Sequence, residues 1–112
     1  MPRASYPLRF IGGLAVVSAP REICAGDADL LRVGLLAACC GAAVIVVDMS
    51  GTRRCEPAGL HVLQRAYQRA RSGHGELRLV LPRESVLREL ANAGLDPGIP
   101  CYASLGDALA VS

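Results

Sequence analysis

Three groups of side chains in this 112-residue chain have types and spacings that could do chemistry. The first is Asp48-Met49-Ser50-Gly51-Thr52, which directly follows the apolar run Ala43 to Val47. A carboxylate at the end of such a run is a candidate nucleophile, while Ser50 and Thr52 read as turn residues that bond their own backbone. The second group is Arg53-Arg54-Cys55-Glu56, ahead of Pro57. Two guanidinium groups beside a helix N-terminus favour anions. The same field lowers a thiol pKa, which makes Cys55 a candidate redox residue. The third group is His61, His74 and five cysteines: Cys24, Cys39, Cys40, Cys55 and Cys101. Their number is odd, they contain no CxxC, and the histidines lack zinc-ligand spacing. They read as small buried hydrophobes in a reducing compartment, and no metal is expected.

Composition removes several of these chemistries. All twelve basic residues are arginine, so a P-loop and a Schiff-base lysine are both impossible. Asp48-x-Ser50-x-Thr52 comes near the Asp-x-Asp-x-Thr motif of aspartyl-nucleophile phosphatases. However, Ser50 replaces the acid/base carboxylate, no later acidic pair completes a magnesium site, and no lysine holds the phosphoryl group. Asp48 therefore reads as a carboxylate that ties down its own loop through backbone N–H groups. Neither catalysis nor a cofactor is expected.

A net charge of +2 argues against a dedicated nucleic-acid binder. Residues 1–7 read as an N-terminal tail and residues 8–112 as one domain. The first ten residues lack the apolar core of a secretory signal. The longest uncharged run, Val33 to Val47, is shorter than the ~18–20 residues of a membrane span, so no membrane insertion and a cytoplasmic location are expected.

The elements that must position these groups alternate in period. Leu8 to Ile11 and Leu14 to Ser18 predict two strands turned at Gly12-Gly13. Residues 25–40 predict a helix capped by Gly26 or Asp27, with Ala28, Leu31, Leu35 and Ala38 on one face. Residues 43–47, rich in β-branched side chains, predict a strand buried on both faces. Pro57 at a first helical position opens a helix over 57–72. Leu60, Leu63, Ala66, Tyr67 and Ala70 form its apolar stripe, and Gly73 ends it. A strand over 77–81, a helix over 83–93, a strand over 99–102 and a last helix capped by Ser104 follow. The pattern is an α/β layer fold: a four- to five-stranded, mostly parallel sheet with an N-terminal hairpin and about four helices.

Val44 to Thr52 followed by Glu56-Pro57-Ala58-Gly59-Leu60 resembles the core motif of STAS domains, the anti-sigma factor antagonist family. That motif is an apolar strand, Asp-Leu-Ser, a short loop, then Asp-Ser-Ser-Gly-Leu opening a helix. Arg21-Glu22-Ile23-Cys24 is similar to the family's Gly-Glu-Ile-Asp, Gly75 to Val80 to its fourth strand, and Tyr102 to Leu109 to its last helix. The order of these pieces covers nearly the whole chain.

The resemblance implies a non-enzymatic protein–protein switch in transcription regulation. A typical member binds an anti-sigma factor that is also a serine kinase, and so frees a sigma factor. Phosphorylation of the serine before the motif's glycine ends that binding, and this alternation is partner switching. In this chain the matching position is Ala58, preceded by Pro57 and Glu56, and alanine has no hydroxyl to phosphorylate. The expected contact surface comprises Glu22 and Cys24 with Ser50, Gly51, Thr52, Arg53, Arg54, Cys55, Glu56, Pro57, Ala58 and Gly59. Three readings stay open. The chain is an unswitched antagonist, or it is phosphorylated instead on Ser50 or Thr52, or it is an accessory subunit of a transporter or another regulatory complex.

Overall fold

A computed structural model describes residues 8–23, 26, 28–80, 83–92 and 99–110, with Cys39, Cys40 and Leu90 described in backbone only. The N-terminal tail 1–7, Cys24 and the candidate cap Asp27 lie outside the described residues.

The chain opens with a hairpin of β1 (Leu8–Ile11) and β2 (Leu14–Ser18). Gly12 and Gly13 turn it at φ 59° and 84°, angles that side chains with a Cβ rarely adopt. A two-residue strand β3 (Glu22–Ile23) precedes α1 (Ala28–Gly41). There follow β4 (Val44–Asp48), β5 (Arg54–Cys55), α2 (Pro57–Ser72), β6 (Glu76–Val80), α3 (Glu84–Asn92), β7 (Cys101–Tyr102) and α4 (Leu105–Ala110). The main sheet has the order β1-β2-β4-β6-β7, and only the β1–β2 pair is antiparallel.

This order dictates the layers. The crossovers β2–β4, β4–β6 and β6–β7 step in one direction, and a right-handed crossover repeated in one direction puts its helices on one face. Alternation along the strands then divides the core. Ala15, Val17, Ile45, Val47, Leu77 and Leu79 are buried with Leu31, Leu35 and Ala38 of α1 and Leu60, Leu63 and Tyr67 of α2. Val16, Val46 and Val80 point the other way, onto Ala108 of α4. The residues expected to form the helix stripes are buried as predicted, apart from a half-buried Ala28.

Arg78 sits within this second core. Its side chain is almost wholly buried. It donates to the Glu76 carboxylate and, at 2.6 Å, to the Ala108 carbonyl, while its guanidinium lies 5.8 Å from the centre of the Tyr102 ring. The expected helix caps are partly realised. Ser104 Oγ accepts the Asp107 N–H at 3.1 Å. At the end of α2, Gly73 takes an ordinary φ of −91°, and His74 carries the left-handed φ of 63°. The N–H groups of His74 and Gly75 close on the carbonyls of Arg71 and Ala70, a Schellman turn with histidine where glycine is usual.

Two strands were absent from the sequence reading. β3 and β5 pair in parallel as a separate two-stranded sheet, with Glu22 opposite Arg54 and Ile23 opposite Cys55. Two residues are too short for any periodicity to register.

Candidate functional site

β2 and β4 end side by side, with Ser18 paired to Asp48, so the segments 19–23 and 49–56 leave the sheet together at its carboxyl edge. The start of the second segment is held from both neighbouring strands. The Ala19 N–H bonds to the Asp48 carbonyl at 2.9 Å, and the Met49 N–H bonds to the Val80 carbonyl at 3.0 Å. The Ser50 N–H donates to Asp48 Oδ1 at 3.0 Å. Asp48 thus does what its sequence context suggests: it ties its loop to itself.

Beyond that turn the two segments are sewn together. The Arg53 N–H reaches the Arg21 carbonyl at 2.7 Å, and the Glu56 N–H reaches the Ile23 carbonyl at 2.8 Å. Thr52 is fully buried, and its Oγ1 donates to the Pro20 carbonyl at 2.8 Å. The hydroxyl is spent on structure, which corrects its candidacy as an accessible phosphate acceptor. Ser50 is exposed at the tip of the turn.

Cys55 is a second correction. Its side chain is fully buried beneath the β3–β5 pair. Burial, reinforced by the nearby negative charges of Glu89 and Glu56, pushes the thiol up to about 12. A neutral thiol out of contact with solvent is neither nucleophilic nor redox-poised. Sequence proximity to Arg53 and Arg54 misled, because both guanidinium-bearing residues are exposed while the sulfur points inward.

Gly59 is buried for a steric reason. A Cβ there would stand 2.5 Å from Ile23 Cγ2 and 2.9 Å from Cys55 Sγ. Glycine therefore lets the start of α2 close onto the β3–β5 ladder. Thr52, Cys55 and Gly59, expected as contact residues, instead shape the surface from below. The surface itself consists of Arg21, Glu22, Ser50, Gly51, Arg53, Arg54 and Pro57, with Glu56 and Ala58 half-exposed. The expected residues of the two segments are brought together, with the exception of Cys24, which lies outside the described residues. Ile23 and Met49, named in sequence only as members of their motifs, are both fully buried under this surface. The signal was present in the apolar residues that interrupt two polar loops.

No group of three or more His, Cys, Asp or Glu side chains that could hold a metal occurs among the described residues. No described helix is long and apolar enough to cross a membrane.

Comparisons agree with the architecture. The family model for the STAS domain matches residues 5–108. The structure of an anti-sigma factor antagonist from Mycobacterium paratuberculosis is similar at 27% identity and a TM-score of 0.79, over 93% of this chain and 89% of that one. A variant of RsbS from Moorella thermoacetica is similar in fold at 20% identity and a TM-score of 0.81, covering 95% and 92% of the two chains. A STAS domain protein from Planctomyces limnophilus gives 19% identity and a TM-score of 0.80, covering 95% and 96%. No curated protein sequence matches this chain.

Proposed function

The chain belongs to the STAS domain family, and on that premise we propose that it is a non-enzymatic regulator of the anti-sigma factor antagonist type. It binds a kinase-like anti-sigma factor through the exposed part of the 50–58 loop and the adjoining Arg21-Glu22 turn. Its binding does not alternate through phosphorylation at Ala58.

One observation carries this reading. The loop is held by its own ladder, and the position matching the family's serine is a half-exposed alanine at the rim of that surface. A rigid surface suits binding, because little ordering entropy is lost on association. A methyl group there gives a kinase nothing to modify. The similarity to the Mycobacterium paratuberculosis antagonist supports the same class of role.

The test is a titration of the purified chain with a kinase-like anti-sigma factor from the same source, with and without ATP. Equal affinity in both conditions is the expected result. Binding lost only with ATP contradicts it and redirects attention to Ser50. No binding to such a kinase, together with binding to transporter subunits, assigns the chain to the accessory class instead.

A further inference from the structure

On the helical side of the molecule, beginning one turn beyond Ala58, α1 and α2 leave a groove of about 270 Å³ between them. Its floor is apolar: Leu35, Leu36, Val62 and Ala66. Its rim carries three guanidinium groups, from Arg32 on α1 and from Arg65 and Arg69 on α2, with His61 one turn ahead of Arg65. These α2 side chains stand at i, i+4 and i+8, so they follow one edge of the helix over about 12 Å.

Little local charge balances the rim. The whole of α2, Pro57–Ser72, contains no acidic residue. Asp29 on α1 lies 3.7 Å from Arg32 in a solvent-exposed pair, which screens it weakly. Among the described residues, no carboxylate forms an ion pair with Arg65 or Arg69. Arg71 differs: it turns to the Tyr67 hydroxyl at 3.2 Å.

The α1 wall extends the apolar character outward. After Arg32 no residue of α1 carries a charged side chain. Val33, one turn before Leu36, is 54% exposed. A helix this apolar ordinarily has its outer face covered.

We infer that this groove docks an acidic amphipathic helix of a partner protein. Its leucine-like side chains rest on Leu36, Val62 and Ala66, and its carboxylates reach Arg32, Arg65 and Arg69. A helix laid along it needs apolar side chains at i, i+3 or i+4 and i+7, with acid on the flank, and the floor and rim offer both. Arginine is the cation suited to such contacts, because its fork binds carboxylates bidentately and its stem packs on apolar surface. This site does not depend on the role of the 50–58 loop.

The probe is a fluorescein-labelled peptide of about 18 residues, long enough to form a helix, made of Leu, Ala and Glu with leucine on one face. Its controls are a scrambled peptide of the same composition and polyglutamate. Binding is read by fluorescence anisotropy and mapped by amide chemical shifts of the full chain. The expected result is saturable binding that weakens with salt, with shifts concentrated on residues 32–36 and 61–69. The Arg65→Glu/Arg69→Glu pair weakens it about tenfold or more, while the same charge change at the exposed Arg83 and Arg88 does not. Equal binding of the scrambled peptide or polyglutamate overturns the inference, as do shifts centred elsewhere, absence of binding, or displacement by inorganic phosphate at similar concentration. The mapping uses the unaltered protein, so it stands even if a variant folds poorly.

Discussion

At Gly59 a hydrogen stands where any other side chain would drive a methyl group into Ile23 and Cys55. Gly59→Ala gains about 1 kcal/mol of helix propensity and incurs about 1–3 kcal/mol of overpacking. A net loss of about 1 kcal/mol in urea-measured stability is expected, with the β3–β5 amides exchanging faster. Thr52→Val keeps the shape and removes the bond to the Pro20 carbonyl. Its expected cost is about 1–2 kcal/mol, read in the same way. Cys55 makes a pH prediction. The folded thiol is pushed up to about 12, whereas an unfolded one ionises near 8.5. The contribution is therefore complete below about pH 8.5 and is lost as pH rises through the folded value. Between those limits the native state holds the proton that the unfolded chain releases, so stability falls by about 1.4 kcal/mol per pH unit. Urea melts at pH 8 and pH 10 should show a steeper decline for the unaltered chain than for Cys55→Ala; parallel declines would contradict the buried thiol. The motif's residue types were legible in sequence, but the direction of these side chains was not. Cys55 and Thr52 lie in a polar stretch; the two-residue ladder turns Cys55 inward, and the bond to the Pro20 carbonyl holds Thr52.

The regular elements announced themselves through long-range patterning. β1, β2 and α2 begin and end where the glycine pair, the apolar alternation and Pro57 suggest. What eluded the pattern was local. Gly73 marks the end of α2, but the left-handed residue is its neighbour His74. His74→Gly should raise stability by up to about 1 kcal/mol, since a Cβ is unfavourable in that conformation. Arg78 reads as a surface charge in Glu76-Leu77-Arg78-Leu79-Val80, and the pattern of a one-sided sheet would place it in water. The short helix α4 covers that face, and the guanidinium is satisfied by the last turn of α4 through Ala108. Arg78→Ala should cost about 1.5–3 kcal/mol, the worth of charged hydrogen bonds left unmade. Hydrogen exchange should rise first in α4; uniform exchange across the fold would show that Arg78 does not anchor that helix.

On the scale of the molecule, one sheet carries two faces and two surfaces of different chemistry. Three crossovers in one direction gather α1 and α2 on one side, which makes the arginine-rimmed groove. The same parallel order brings the ends of β2 and β4 together, which makes the 50–58 surface. The fold class was readable because strand–helix alternation and the order of motifs span nearly the whole chain. The groove was not, because it joins Arg32 to residues some thirty positions away, and no sequence window contains both. The serine-to-alanine position is the reverse case: visible from sequence at once, with its consequence set by the rigidity of the loop around it. The most direct measurement is affinity capture from a lysate of the source cells, with and without added ATP, read by mass spectrometry. Recovery of a kinase-like anti-sigma factor in equal amounts under both conditions is the predicted result. Recovery only without ATP, or of transporter subunits in its place, would contradict an unswitched antagonist.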